Sequence, residues 1–302
     1  MVNNFLFAIR PINLLIVFLN QSIFFFLYIK TGLVKLGLTP QLSDFQFFLF
    51  STVTIILAAS SYLINDYYDI EIDKLNQIRK SNLSKRDLLV CYLALLITGT
   101  IIALFISFSI QKWHLFCIYP LVAFLLFLYS YKFKLTGVIG NLVVAGFTAF
   151  VSLILLIAEP QLLTNNNNEI KLVCNIIVAF SLFGFLSNLI REMIKDVEDQ
   201  EGDRLKRSNS LPLIIGERKT KQILHSLIIL LSFLLVGWTF CFELNEFRVR
   251  IFNIIFIVGP LSLSLYRLRN AQSKNDYHNL STFYKWVMLS GMISILLLSV
   301  EI

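Results

Sequence analysis

Residues 65–73 read NDYYDIEID and carry three aspartates, Asp66, Asp69 and Asp73, directly after a long apolar stretch. On a helix, positions i, i+3 and i+7 fall on one face. Three carboxylates on one face repel one another unless a cation lies among them. The stretch therefore predicts an apolar membrane helix that ends in a cation-binding acidic face.

A second stretch, REMIKDVEDQEGD at residues 191–203, repeats the D-x-x-D-x-x-x-D spacing with Asp196, Asp199 and Asp203. Corresponding aspartates of the two triads are each separated by 130 residues. Two acidic faces that oppose each other form an oxygen-rich cage suited to Mg²⁺ holding a diphosphate. The two triads together predict an enzyme with a Mg²⁺ cofactor rather than a plain membrane anchor.

The composition indicates an all-α membrane protein. The 302 residues are 57% hydrophobic and 15% charged, with a mean hydropathy of +0.74, whereas soluble domains carry about 25% charged residues. Apolar runs of about 20 residues can cross a bilayer as helices. We expect nine transmembrane helices, near residues 12–29, 45–64, 88–109, 113–129, 138–158, 172–190, 222–242, 251–268 and 284–300.

The basic residues predict the orientation in the membrane. If the N-terminus lies inside, 20 of the 26 Lys and Arg residues fall on the inner side, together with both triads. The positive-inside rule then places the acidic motifs on the cytoplasmic face. We expect an integral protein of the cell (plasma) membrane whose active site faces the cytoplasm, where a net charge of +7 meets anionic lipids and substrates.

The positions of the triads predict an internal duplication. Each triad follows the second span of a four-span group, and the ninth span is left over. We expect a single transmembrane domain over residues 1–302, with pseudo-repeats at about 10–134 and 135–270 that face each other across a central cavity.

Basic and amide side chains near the triads are candidates for binding substrate. Arg191 and Lys195 lie four residues apart before the second triad, where they can neutralise a diphosphate or form local ion pairs. Asn65 can add a carbonyl oxygen to a metal site. Further candidates for substrate binding are Asn13, Asp73, Arg79, Lys132, Lys134, Asn141 and Asp203; for the lysines, a purely topological role is the alternative.

These residues resemble those of the UbiA-type intramembrane prenyltransferases. The resemblance rests on both triads, on the motifs Arg10-Pro11-x-Asn13 and Gly140-Asn141, and on the nine spans. It implies a ring of nine helices around a central cavity that opens laterally to lipid. It also implies Mg²⁺-dependent transfer of a prenyl group from a diphosphate to a lipophilic acceptor.

Within this family, residues 191–203 followed by Leu211-Pro212 are similar to the geranylgeranylglycerol-phosphate geranylgeranyltransferases. That resemblance implies a geranylgeranyl donor and geranylgeranylglycerol phosphate as acceptor. It assigns Mg²⁺ to Asp66, Asp69, Asp196 and Asp199, and the leaving diphosphate to Arg191, Lys195 and Lys132. Residues 76–86 lack the prolines usual in the family after the first triad, so Arg79 or Lys80 is expected to replace the usual arginine.

Two other functions fit parts of the pattern. An aromatic acceptor, as in quinone biosynthesis, would keep the prenyl transfer and change only the nucleophile. A transporter would fit the repeats, but its polar residues would lie near the bilayer midplane rather than at the ends of the spans. The expected partners are a prenyl diphosphate, a lipophilic acceptor and membrane lipid, with no nucleic acid and no obligate protein partner.

Overall fold

A computed structural model describes residues 2–75, 83–205, 209–241 and 247–299. Within these ranges all regular structure is helical, and nine helices are long and apolar enough to cross a membrane. We label them α1 to α9: Pro11–Lys35, Asp44–Leu75, Lys85–Ser109, Trp113–Tyr131, Val138–Ala158, Asn168–Glu198, Glu217–Cys241, Phe247–Asn270 and Lys274–Ser299. The predicted all-α membrane fold with nine transmembrane helices is confirmed.

Several helices extend beyond the apolar runs that predicted them. Helix α2 continues through the whole first triad to Leu75, and α6 continues through Asp196 to Glu198. Helix α9 begins at Lys274, ten residues before the expected start. The polar end of α2 therefore carries the first triad and that of α6 carries Asp196, because main-chain hydrogen bonding continues where the apolar pattern stops.

The chain divides into two compact units. The first comprises Met1–Lys134 and Val151–Asn175, and the second comprises Leu135–Phe150 and Ile176–Ile302. One boundary falls after Lys134, where the predicted first repeat ends, but α5 and α6 are each shared between the units. The duplication and the central cavity stay predictions.

In the first unit, α2 packs along α3, and a small apolar cluster lies beside the first triad. Its buried members on these helices are Leu63, Ile64, Leu88 and Tyr92. A capping box starts α3: Ser84 accepts a hydrogen bond from the Asp87 N–H at 3.1 Å, and the Asp87 carboxylate accepts from the Ser84 N–H at 3.3 Å. Packing on one side of α2 thus fixes the rotation of the helix and with it the direction of its acidic face.

Polar side chains join α1, α2 and α5 inside the first unit. The buried Gln21 amide donates to Thr54 Oγ1 at 3.2 Å and to the Val151 carbonyl at 3.1 Å. Ser152 donates to Asn20 Oδ1 at 2.8 Å. Because hydrogen bonds between helices replace contacts with water inside a bilayer, they hold the three helices in register.

A buried carboxylate, Glu159, binds main-chain N–H groups between α1 and α2, at the end of this unit away from the first triad. Glu159 is 0% exposed, and its two oxygens accept hydrogen bonds from the N–H groups of Gln41 and Leu42 at 2.7 and 2.8 Å. The Gln161 amide donates to the same carboxylate at 3.0 Å. Burial raises the pKa of Glu159, and the three donors oppose that rise because they stabilise the ionised form.

We expect Glu159→Ala to lower the free energy of unfolding in detergent by about 2–4 kcal/mol, since it leaves the buried N–H of Leu42 and the partly buried N–H of Gln41 without an acceptor. Glu159→Gln should cost less, because an amide offers one acceptor oxygen in place of two. The midpoint of thermal unfolding measures both changes. Equal midpoints for Glu159→Ala and the unmodified protein would contradict the assignment of Glu159 as a structural clamp.

In the second unit, α6 has one apolar and one charged face. Buried residues of its last turns join a core with α7, α8 and α9: Leu189, Ile190, Met193, Ile194 and Val197. The charged residues Arg191, Glu192, Lys195 and Asp196 lie between them in sequence and are only partly buried. The burial of the apolar positions therefore determines where the charged ones point.

Candidate functional site

Two carboxylates of the first triad are buried on α2. Asp66 is 5% exposed and Asp69 is 6% exposed, each at the polar end of a helix that is otherwise apolar. Buried carboxylates require cations or hydrogen-bond donors, because removal of a charge from water is costly. Both Asp66 and Asp69 have a basic partner within the first unit.

Arg10 is the basic partner of Asp66. Its guanidinium lies 3.5 Å from Asp66 Oδ1 and 4.6 Å from the centre of the Tyr62 ring. The Arg10 backbone has a φ of 55°, a left-handed conformation that non-glycine residues rarely adopt. The turn between the helix Val2–Ile9 and α1 therefore directs the Arg10 side chain towards the acidic face of α2. Asn13, on the first turn of α1, is exposed and donates to Tyr62 Oη at 3.3 Å.

Lys134 is the basic partner of Asp69. It lies in the short 3₁₀ helix Phe133–Leu135, and its Nζ forms an ion pair with Asp69 Oδ2. The Lys134 side chain is 31% exposed. It can therefore leave Asp69 when a metal cation takes its place or when an anion binds to the lysine. Lys132 is exposed and lies two residues earlier.

Asn65 supplies an unused oxygen beside these carboxylates. Its Oδ1 atom is buried and accepts no hydrogen bond from the residues that the structure describes. Magnesium prefers carboxylate and carbonyl oxygens, and a buried oxygen without a donor is costly. The donor set of Asn65, Asp66 and Asp69 therefore fits Mg²⁺ in its chemistry.

In the second unit, Asn141 orients the first aspartate of the second triad. Asn141 is buried near the start of α5, and its Nδ2 donates to Asp196 Oδ2 at 2.6 Å. An amide donor next to a carboxylate holds one oxygen and leaves the other available to a ligand. The sequence predicted both residues as part of the site, and the structure brings these two together.

Gly137 makes this contact possible. It has a φ of +58°, and a Cβ atom added at this position would lie 2.0 Å from the Asn209 carbonyl oxygen. Asn209 also donates its N–H to the Leu135 carbonyl at 3.0 Å. Two segments of backbone thus meet at Gly137, one turn before Asn141, and only glycine fits there.

We expect Gly137→Ala to destabilise the protein by about 1–2 kcal/mol from the left-handed conformation alone, and by more from the contact with Asn209. A displaced α5 start should also weaken the Asn141–Asp196 contact and lower kcat. Thermal unfolding and initial rates measure the two effects. The control is Gly146→Ala inside α5, where an added Cβ meets nothing within 4 Å; equal effects of both changes would contradict this reading.

Arg191 and Lys195 lie on the charged face of α6. Arg191 forms an ion pair with the adjacent Glu192, while its Nε is buried and donates to no described residue. The local ion pair that the sequence offered as an alternative is thus present, but it uses only part of the guanidinium. The Nε–H remains a donor for an anion.

Of the other predicted site residues, Asp199 and Asp203 lie beyond the end of α6, and Asp73 and Arg79 are described in part or not at all. Helix α6 ends at Glu198, so Asp199 is exposed at the junction with the short helix Gln200–Leu205, which contains Asp203. Hydrogen bonds from the Asp199 N–H to the Lys195 carbonyl at 2.8 Å and from the Asp203 N–H to the Asp199 carbonyl at 2.9 Å preserve the helical register. The backbone of Asp73 lies in α2, whereas its side chain and the whole of Arg79 lie outside the described residues.

Among the described residues, no three Asp, Glu, His or Cys side chains lie close enough together to hold a metal ion. Arg10 and Lys134 supply the positive charge beside Asp66 and Asp69. The assignment of Asp66, Asp69, Asp196 and Asp199 as metal ligands stays a prediction.

Sequence reasoning noted Arg10 only as part of the Arg10-Pro11-x-Asn13 motif, without its pairing with Asp66, and it assigned no role to Gly137. The Arg10-Pro11 pair was a usable signal for Arg10, because a basic residue before a helix-starting proline lies at a turn. No local signal marked Gly137, since its requirement for glycine comes from Asn209, far along the chain.

Comparison with protein families and known sequences gives a consistent result. A family model described as the UbiA prenyltransferase family matches residues 23–289. The digeranylgeranylglyceryl phosphate synthase of Methanosphaera stadtmanae is 28% identical over 302 residues, which cover 97% of this chain and 98% of the relative. The synthase of the same name from Korarchaeum cryptofilum is 30% identical over 238 residues, covering 78% of this chain and 79% of the relative.

Solved structures share the fold. A structure from work on digeranylgeranylglyceryl phosphate synthase in membranes has a TM-score of 0.68 at 23% identity, covering 100% of this chain and 99% of the other. A UbiA homologue from Archaeoglobus fulgidus, bound to GPP and Mg²⁺, has a TM-score of 0.58 at 16% identity, covering 97% and 99%. At these identities the likeness shows the fold alone.

Proposed function

The chain belongs to the UbiA prenyltransferase family, and on that basis we propose that it transfers a geranylgeranyl group from its diphosphate to geranylgeranylglycerol phosphate in a Mg²⁺-dependent reaction. The observation that carries this proposal is the similarity to the Methanosphaera stadtmanae synthase, which spans nearly the full length of both proteins. The protein is an integral membrane prenyltransferase; its place in the plasma membrane and the cytoplasmic orientation of its motifs belong to the proposal.

The proposed donor site uses both acidic motifs. We assign Mg²⁺ to Asp66, Asp69, Asp196 and Asp199, with Asn65 as a further oxygen donor. The binding of Mg²⁺ with GPP and with DMAPP by the Archaeoglobus fulgidus homologue supports this choice of metal and donor. When bound, Mg²⁺ neutralises the diphosphate oxygens and so makes the diphosphate a better leaving group.

Basic and amide side chains next to the carboxylates orient them for metal binding. Arg10 and Lys134 orient Asp66 and Asp69 through their ion pairs, and Asn141 orients Asp196 through its hydrogen bond. Because the Arg10 and Lys134 side chains are 41% and 31% exposed, they can move from the carboxylates towards an arriving diphosphate. Arg191 and Lys195 stabilise the negative charge that develops on the leaving group.

The bond changes follow from the allylic character of the donor. The C1–O bond breaks, and its electron pair stays with the diphosphate, which leaves an allylic cation at C1. The acceptor hydroxyl oxygen forms the new C–O bond at C1 and releases its proton. The apolar helices exclude water, which would otherwise compete with the acceptor for the cation.

Aromatic rings near the first motif can assist the cation. Tyr67 and Tyr68 follow Asp66 on α2 with their ring centres 5.2 Å apart, and the Tyr131 ring centre lies 5.7 Å from that of Tyr68. The π faces of such rings stabilise positive charge when water is absent. These three tyrosines, with Tyr129 on the same helix as Tyr131, are candidates for this role.

A parallel acceptor assay tests the proposal. Purified protein with Mg²⁺ and labelled geranylgeranyl diphosphate is supplied with geranylgeranylglycerol phosphate, with 4-hydroxybenzoate or with a naphthoate. We expect a labelled ether lipid with the glycerol phosphate alone, and none after chelation of the metal by EDTA. Product with an aromatic acid alone would move the protein to quinone biosynthesis, and no product with any acceptor would overturn the proposed activity.

A further inference from the structure

Helix α9 carries a charged residue well inside its length. Lys285 lies near the middle of the span Lys274–Ser299, and its side chain is exposed on the protein surface. A lysine at this depth in a membrane helix is costly unless it faces a polar cavity or a ligand. Neither acidic motif includes Lys285, and it has no part in the donor site assigned above.

Contacts at both ends of α9 fix its register against α6. His278 Nδ1 lies 2.8 Å from Glu198 Oε1, and the Ser281 hydroxyl donates to Glu198 Oε2 at 3.4 Å. Further along, Gly291 lies against Phe183 so closely that an added Cβ would be 2.3 Å from the ring. The two helices therefore run antiparallel in contact, and Lys285 lies between these two points.

The same register brings Lys285 to the charged face of α6. Positions 278, 281 and 285 share one face of α9, and the first two contact Glu198. Going back along α6 from Glu198, the charged residues are Asp196, Lys195, Glu192 and Arg191. Of these five, Glu198, Lys195, Glu192 and Arg191 are near enough to Lys285 for their charges to act on it. We call Arg191, Lys195 and Lys285 the basic cluster.

The carboxylates on this face of α6 already have partners. Glu192 pairs with Arg191, Glu198 accepts from His278 and Ser281, and Asp196 accepts from Asn141. By contrast, Lys195 and Lys285 form no ion pair with a described residue. Arg191 Nε is buried and donates to no described residue. Two such lysines beside Arg191 favour an anion between them, and the unused Nε–H donor of Arg191 points to the same missing group.

We propose that Lys285, which lies beside Arg191 and Lys195, binds the phosphate group of a phosphorylated acceptor. This assignment rests on the proposed function, in which both substrates carry phosphate. The donor diphosphate already has the acidic motifs together with Arg191 and Lys195, so a second phosphorylated substrate requires a further cation. Lys285 meets this need because it reaches the charged face of α6 from a different helix, and its exposed side chain is open to a lipid-borne phosphate. Lys285 is thereby a specificity-determining residue.

Steady-state kinetics of Lys285→Gln test the assignment. The loss of one charged hydrogen bond should raise KM for geranylgeranylglycerol phosphate by about 10- to 100-fold. The KM for geranylgeranyl diphosphate and kcat should change by less than about threefold. Lys285→Arg should restore most of the affinity, because it keeps the charge, and Lys274→Gln, at the start of the same helix, should leave every constant unchanged.

The unphosphorylated acceptor, geranylgeranylglycerol, separates the possible outcomes. With it, Lys285→Gln and the unmodified enzyme should have the same kcat/KM, since no phosphate is present to lose a contact. An equal loss with both acceptors, or a rise in KM for the diphosphate instead, would overturn the assignment. Failure of the unmodified enzyme to use geranylgeranylglycerol phosphate would overturn the proposed function, and this assignment with it.

Discussion

Asp66→Asn should reduce kcat/KM for the prenyl diphosphate by about 1000-fold or more, the size of effect typical for loss of a central electrostatic group. The substitution keeps the shape of a side chain that is 5% exposed, so the packing against α3 and the Arg10 contact can persist. It removes the negative charge with which Asp66 would hold a divalent cation. Initial rates at several Mg²⁺ concentrations measure the loss, and the Mg²⁺ needed for half-maximal rate should rise.

The same helix provides a matched control. Asp44 begins α2, at the opposite end from the motif, and its carboxylate lies 2.5 and 2.7 Å from Lys30 Nζ. This ion pair is largely exposed, and such pairs contribute little. Asp44→Asn should therefore leave kcat/KM within about threefold and the thermal midpoint nearly unchanged. If Asp66→Asn retained more than about a tenth of the activity, Asp66 could not be a ligand to an essential metal.

The spans and the acidic motifs were predictable because their signals are local. Apolar runs of about 20 residues and the i, i+3, i+7 spacing are properties of single helices, and the nine helices and the helical position of Asp66 and Asp69 agree with them. The ends of the helices were less predictable, since α2 and α9 continue through polar residues. The apolar pattern indicates which part of a helix can lie in lipid, but it does not indicate the residue at which the helix ends.

The partners of the motif residues could not be predicted from local pattern. Lys134 was a candidate for substrate binding on account of its charge, but its pairing with Asp69 depends on how α2 and the end of α4 pack. The Arg10–Asp66 pair depends on an unusual backbone conformation at Arg10. Lys285 was harder still, because the apolar pattern placed it at the start of a span instead of near the middle of α9. Each of these contacts joins residues from different helices.

For the second motif, Asp196→Asn should also lower kcat/KM by about 1000-fold or more, because it too removes a proposed ligand charge. The new amide can still accept the hydrogen bond from Asn141, so the loss should be electrostatic and the thermal midpoint should change little. Glu201→Gln is the control, since Glu201 is an exposed acid in the adjoining helix Gln200–Leu205. A comparable loss in that variant would indicate a general effect of charge rather than a role specific to Asp196.

Substitution of Asn141 tests whether this amide acts through Asp196 or contacts the substrate directly. Asn141→Ala should lower kcat/KM by about 10- to 100-fold, the range typical for residues that orient a metal ligand. If Asn141 acts only through Asp196, the same change should cost less than about threefold once Asp196→Asn is present, because the charge that Asn141 orients is already gone. If Asn141→Ala instead costs its full factor in both backgrounds, Asn141 contacts the substrate itself. The 2.6 Å contact between Asn141 and Asp196 favours the first result, since a donor held by a carboxylate has little freedom to bind a second acceptor.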